Sequence, residues 1–311
     1  MALLKTNPNE PAIHTTPLGK QKGGLYWQAF ADLRTTMTHF TADDGEKIRI
    51  HVSGEGSPLI MLHGWTANHL EWSMFMRGLN PHYQVFRWDA RCRGDHVPLT
   101  ATAPTVERMA RDLQNMFDHF HLDRVAIVGH SMGALTLWQY LRDFGTERVA
   151  KLCFIDQSPK LLTDDTWHLG IYGDFDSERS RQFIEQLRQN FPESVLRLVA
   201  NGLNRRARME YEASAPNWET YRRQLENQNP APLIACWESL TQADYRDVLQ
   251  HIDVPTLLIY GGESNFYLPE TGRYVAERIP GAHLHIYDGE DHSPHMWQRE
   301  RFLRDLLAFI G

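Results

Sequence analysis

The chain has 311 residues, with 32 Lys and Arg against 39 Asp and Glu and a formal net charge of −7. At that length one large α/β domain, or one domain with an inserted module, can bury about 75% of the surface its unfolded form exposes, so no disulfide or metal is needed to hold it. The 42% hydrophobic content excludes a disordered chain, and the mild acidity argues against nucleic acid as a partner.

Cys92, Cys153 and Cys236 lie far apart with no C-x-x-C pairing, which excludes a disulfide framework and the usual structural zinc cluster. The opening residues hold only the apolar run Ala2-Leu3-Leu4 before Lys5, too short for the middle of a signal peptide. No stretch approaches the ~18 apolar residues of a membrane span. The expectation is a reduced, cytoplasmic enzyme or binding protein acting on a small molecule.

Residues 1–30, rich in Pro, Thr, Gly and Lys, read as an arm lying on a larger body. Strands are expected around 34–40, 47–52, 58–63 and 84–89. Val106, Met109, Ala110, Leu113, Met116, Phe117 and Phe120 then follow the i, i+3, i+4, i+7 rule of a helix with one buried face. A strand at 124–129 leads through Gly129-His130-Ser131-Met132-Gly133 into an apolar helix, Ala134 to Phe144, ended by Gly145. Another strand is expected at 151–156.

Between about 160 and 245 the alternation fails. Polar helical stretches run from Ser180 to Asn190, Glu193 to Ala200 and Trp218 to Asn227, with breaks near Pro159 and Asp244. Strand character returns at 255–260 and 283–287, and a last helix spans Arg299 to Phe309. Continuous apolar runs at 58–62 and 125–128 suit central parallel strands covered on both faces. The expected architecture is α/β: a mostly parallel twisted sheet of about eight strands with helices on both faces. Residues 1–159 would supply the arm and the first part of the core, 160–245 a helical cap, and 246–311 the rest of the core.

The strongest chemical signal is Gly129-x-Ser131-x-Gly133 between a strand and a helix. Such a turn lifts the serine above the sheet, while the glycines let the backbone pass close to its neighbours. In a chain with 21 glycines the string arises by chance roughly 0.05 times, before its strand-and-helix context is counted. His63-Gly64-Trp65 ends the strand at 58–62, and ligands of open α/β sheets bind at such carboxyl ends. The N–H groups of Trp65 and Met132 would there form an oxyanion hole.

A base for Ser131 must be a histidine on a loop able to reach it. Among 16 histidines, His292 stands out in Gly289-Glu290-Asp291-His292-Ser293-Pro294, between the last strand and the last helix, with His295 as its rival. A metal reading of Asp291, His292 and His295 finds no other ligand cluster to support it. The Arg205-Arg206-Ala207-Arg208 run reads as a solvated face. Trp167, Trp218 and Trp237 suit either packing or an apolar pocket wall.

These motifs, His63-Gly64-Trp65, Asp89-x-Arg91-x-x-Gly94, GHSMG at 129–133 and GEDHSPH at 289–295, resemble the α/β-hydrolase family in kind and order over roughly residues 34–311. The resemblance implies Ser131 as nucleophile, His292 as base and acid, 160–245 as a cap, and no cofactor. Arg91-Cys92-Arg93-Gly94 departs from the family's more usual Arg-Gly-x-Gly, in what reads as a structural turn.

The triad acid is harder to place. The family's usual position after the strand 255–260 falls on Ser264 or Asn265, neither an anion, and Glu263 is out of register. Asp156, ending the strand 151–156, matches a site used by some branches and is favoured over Glu263. The expected activity is carboxylic ester hydrolysis through an acyl-enzyme. Rival readings keep the fold as a C–C bond hydrolase, a haloperoxidase or perhydrolase, a cofactor-free dioxygenase, or a small-molecule-binding protein of low turnover. A serine at the nucleophile position argues against dehalogenase or epoxide hydrolase chemistry.

Overall fold

The computed structural model describes residues 36–93 and 96–311. The arm expected over 1–30, the first two residues of the expected strand 34–40, and Gly94 lie outside the described residues.

Among the described residues eight strands form one sheet: β1 (Thr36–Thr41), β2 (Lys47–Ser53), β3 (Ser57–Leu62), β4 (Tyr83–Asp89), β5 (Val125–His130), β6 (Val149–Ile155), β7 (Thr256–Gly261) and β8 (His283–Tyr287). Their spatial order is β1-β2-β4-β3-β5-β6-β7-β8. The β1–β2 and β2–β4 pairs are antiparallel, and every pair from β4 to β8 is parallel. β5 and β7 are buried at every position, as continuous apolar runs between two helical layers require. The edge strand β8 is buried only at Tyr287.

Alternation along the strands divides the core in two. Ile60 and Leu62 of β3 face one side, and Leu59 and Met61 face the other. A segment from His69 to Phe75 and the short helix α1 (Met76–Leu79) cover the second face, together with the C-terminal helix described below. The first face receives α2 (Val106–His119) and α3 (Met132–Phe144). α2 starts where the Thr105 hydroxyl accepts the Arg108 N–H at 3.2 Å, and it buries Val106, Met109, Leu113 and Met116.

Between β6 and β7 the chain forms α4 (Ser177–Gln189), α5 (Phe191–Ala200), α6 (Arg205–Glu212), α7 (Pro216–Glu226) and α8 (Pro230–Gln242). The two ends of this segment meet: Lys160 bridges Asp244, and the Tyr245 N–H donates to Pro159 O at 2.8 Å. α6 and α8 were not among the helices read from the sequence. Charged α6 has no fully buried residue and meets the core only through partly buried Ala207 and Tyr211, too narrow an apolar face to read from sequence. α8 opens Pro-Ala-Pro, which reads as a loop but suits the first turn of a helix, where N–H groups have no partner anyway. α9 (Pro269–Arg278), α10 (Pro294–Trp297) and α11 (Arg299–Ile310) complete the chain. Among the described residues no helix is long and apolar enough to cross a membrane.

The Asp-x-Arg turn after β4 is an anchor. Buried Arg91 donates Nε to Asp112 Oδ2 at 2.6 Å and Nη1 to Asp44 Oδ2 at 2.7 Å, joining that turn to α2 and to the β1–β2 loop. Cys92 beside it is buried, its Sγ 3.5 Å from Met132 Sδ, so the departure from the more usual glycine fills core space. Arg91→Ala would remove the two short guanidinium contacts of the fully buried Asp112 carboxylate and leave it only the longer one to Arg108 Nη2, at 3.3 Å. The expected cost is about 3–5 kcal/mol, read from urea unfolding.

Candidate active site

Ser131 sits between β5 and α3 with φ 52° and ψ −116°, a backbone conformation that costs a non-glycine residue about 1–3 kcal/mol. The flanking glycines make the bend possible. A Cβ on Gly133 would lie 2.3 Å from Leu62 O, and one on Gly129 would lie 2.7 Å from Gly133 O. Met132 is the first residue of α3, so its N–H lies outside the helical ladder.

Asp156 follows β6 at φ 45° and is fully buried. Its carboxylate has three donors. Oδ1 accepts the Gly261 N–H at 2.8 Å, while Oδ2 accepts the Ser264 hydroxyl at 2.7 Å and lies 2.6 Å from His292 Nδ1. A carboxylate ringed by donors can hold the Nδ1–H tautomer of His292, leaving Nε2 with a lone pair. Burial lowers the His292 pKa from its ordinary 6.5, with Asp156 opposing and His130 adding to the fall. Asn265 Oδ1 accepts the His292 N–H at 3.2 Å, and Asn265 Nδ2 donates to Val199 O of α5 at 3.1 Å, tying the histidine loop to the helical segment.

The Trp65 loop approaches from β3. The Gly64 N–H is taken by Glu71 Oε2 at 2.9 Å, so the next amide along the loop is that of Trp65. A Cβ on Gly64 would stand 3.4 Å from the Ser131 Cβ, which shows how close this loop comes to the serine. The Trp65 indole donates to Leu233 O of α8 at 3.0 Å and packs 4.6 Å, centroid to centroid, from Trp237. Ser131, Met132, Trp65 and His292 all line one cavity of about 1080 Å³. The segment between β6 and β7 supplies much of its wall, including Val195, Leu198, Trp218, Tyr221, Trp237 and Leu240.

The structure separates the sequence candidates. Asp156, not Glu263, contacts His292; Glu263 is exposed and outside that hydrogen-bond set. His295 is fully buried and donates Nε2–H to Glu71 Oε1, 3.0 Å away, rather than meeting Asp156. Trp218 and Trp237 line the cavity, but Trp167 instead packs against Tyr274 at 4.7 Å. Of the arginine run, Arg206 reaches the cavity wall. Sequence reasoning missed Ser264 as a partner of Asp156. The signal was present: Ser264 is one of the two residues, with Asn265, that fall at the family's usual acid position, and it donates to the carboxylate that follows another strand.

Among the described residues two groups bring ligand-type atoms within 4.8 Å of one another: His51, His69 and Asp89, and Glu71, His130 and His295. Asp89 accepts the His69 N–H at 2.9 Å and Arg93 Nη1 at 2.9 Å, while Glu71 accepts Gly64 and contacts both histidines. Their carboxylates are thus satisfied by protein N–H groups, and neither group is assigned a metal.

Residues 57–298 match the family model described as the alpha/beta hydrolase fold. The chain belongs to the alpha/beta hydrolase fold family. Among relatives of this α/β-hydrolase, a pimeloyl-[acyl-carrier protein] methyl ester esterase of Vibrio vulnificus (strain YJ016) is 27% identical over 259 residues, 83% of this chain and 96% of the relative. The non-heme chloroperoxidase CPO-A1 of Kitasatospora aureofaciens is 26% identical over 277 residues, 87% of this chain and 98% of that protein. The esterase EaEST from Exiguobacterium antarcticum superposes with a TM-score of 0.76 at 24% identity, covering 88% of this chain and 99% of that one. That last likeness concerns the fold alone.

Proposed function

We propose that this α/β-hydrolase cleaves a carboxylic ester, or a related acyl compound, through an acyl-enzyme on Ser131. The observation that carries the reading is a serine held at φ 52° on a strand-to-helix turn, opening into the same cavity as a histidine bonded to a buried carboxylate. His292 Nε2 removes the Ser131 proton as Oγ attacks the carbonyl carbon, and Asp156 stabilises the imidazolium that forms. The Trp65 and Met132 N–H groups receive the developing oxyanion. His292 then protonates the leaving alcohol, and water activated by the same imidazole releases the acid.

Residues 160–245 act as a cap, and the apolar side chains they bring to the wall favour an acyl or alcohol part with apolar or aromatic bulk. The test is a series of p-nitrophenyl esters of increasing chain length, run alongside fluorophosphonate labelling. Turnover with labelling of Ser131 supports the reading. Labelling without turnover would instead favour a binding protein of the same fold.

Resemblance to a chloroperoxidase favours one second reading on the same residues, in which hydrogen peroxide rather than water takes the acyl group and leaves as a peracid. Halide oxidation that requires both peroxide and a carboxylic acid would identify it.

A pH profile follows from His292. The imidazole must be neutral to accept the serine proton, and its pKa is depressed by burial. The acid limb of kcat/KM is therefore expected below pH 6.5, with activity rising as pH rises through it. A limb above pH 7 would contradict that environment.

A further inference from the structure

Behind the Asp156–His292 pair lies a second buried acid–imidazole group. Glu71, on the His69–Phe75 segment, is 2% exposed, and His130, directly before Ser131, is 6% exposed. His130 Nδ1 lies 2.6 Å from Glu71 Oε1, and His130 Nε2 lies 3.0 Å from the main-chain O of His292.

Those two contacts define the charge on His130. A neutral imidazole carries one N–H and one lone pair. With its hydrogen on Nε2, the Nδ1 lone pair would face a carboxylate; with it on Nδ1, the Nε2 lone pair would face a carbonyl oxygen. Only the imidazolium presents hydrogen to both. The Nδ1 contact is bent away from hydrogen-bond alignment, so charge rather than directionality holds it. His295 differs: among the described residues only its Nε2 meets an acceptor and its Nδ1 has no hydrogen-bond partner, and burial pushes it down to about 4. It is neutral, which leaves one anion and one cation in the group.

We propose that the Glu71–His130 ion pair is a positioning element of the site, joining the Trp65 loop, the Ser131 turn and the His292 loop, and keeping His292 unprotonated at lower pH than Asp156 alone would allow. The joints are the Gly64 N–H on Glu71, the chain continuity of His130 with Ser131, and the His292 carbonyl on His130. The cation acts across a short gap, since the His130 and His292 ring centroids are 4.9 Å apart. Burial works against charge on His130, but the Glu71 carboxylate outweighs it and raises the imidazole above 6.5.

Among the described residues, the other titratable groups packed around the pair are His63, Asp156, Asp291, His292 and His295, with Arg93 on the cavity wall. His63 accepts the Ala90 N–H at Nε2, 3.1 Å away, and so is neutral. Burial likewise raises the Asp291 carboxyl. His130 is thus the buried imidazolium beside His292.

The assignment of His292 as base rests on the proposed hydrolase reading, so the decisive readout avoids turnover. In ¹⁵N-histidine NMR of the full-length protein at pH 7.5, a unit above an ordinary imidazole, both His130 nitrogens should carry protons. A neutral His130 there overturns the proposal. In His130→Gln, which keeps a donor but loses the charge, the His292 pKa read by the same NMR should rise by about 0.5–1 unit. On the best ester, kcat should fall about 10–100-fold with KM changed less than about threefold. An unmoved His292 titration in the folded variant also overturns it. Should the variant not fold, the wild-type spectrum alone decides. Failure of the hydrolase reading is separately visible, as esterase turnover that survives Ser131→Ala.

Discussion

Ser131→Ala and His292→Ala are each expected to lower kcat on the best p-nitrophenyl ester by on the order of 10⁴–10⁶-fold, with KM little changed. The size follows from what each side chain supplies. Without the hydroxyl no acyl-enzyme forms, and without the imidazole nothing accepts the serine proton at neutral pH. The two effects should not add, because nucleophile and base act as one unit: the double variant should resemble either single one. Neither change should unfold the protein, since both side chains line a cavity rather than fill the core. Ser131→Ala also keeps a side chain at the φ 52° position, so it leaves the strain of the turn in place. Intact thermal melting with activity reduced less than tenfold in either variant would remove Ser131 chemistry from consideration.

Asp156→Asn is expected to cost about 10³–10⁴-fold in kcat, whereas Glu263→Gln should stay within about twofold. The Asp156 carboxylate is surrounded only by donors: the Gly261 N–H, the Ser264 hydroxyl and His292 Nδ1. An asparagine there has one acceptor oxygen and must aim its NH₂ at a donor. Turned toward His292, that NH₂ would favour the tautomer with hydrogen on Nε2, which can no longer take the serine proton. Turned toward Gly261, it leaves a buried N–H facing another, at a cost of about 1–3 kcal/mol in stability. The measurement is kcat and urea midpoint for both variants, and a larger kcat loss in Glu263→Gln would reassign the acid.

The sheet was legible because its signals are local. Continuous apolar runs such as Leu59–Leu62 and Val125–Val128 mark strands buried on two faces, and the 3.6-residue stripe from Val106 to Phe117 marks a helix buried on one. Each strand expected within the described residues appears within about two residues of its place. Helices α6 and α8 were hidden for opposite reasons. The first has no fully buried residue, only partly buried Ala207, Glu210 and Tyr211, and the second begins with prolines that break helices anywhere except at their start.

Ser131 was recognisable from sequence alone because its turn needs glycines at fixed offsets, a constraint written into five consecutive residues. The same holds for the family likeness and for a histidine between the last strand and last helix. The partner of that histidine was not decidable in the same way. Asp156 and His292 are 136 positions apart, and nothing local distinguishes a carboxylate bonded to an imidazole from one that bonds its own turn. Only the parallel pairing of β6 with β7 brings Asp156 beside Gly261 and Ser264, and only the folded loop after β8 lays His292 over them. Glu71 and His130 needed tertiary structure still more, because a buried charge has meaning only through the groups that surround it. Backbone patterning therefore determined the architecture and the strained Ser131 turn, while long-range packing decided which carboxylate meets the imidazole and which charges stand behind it.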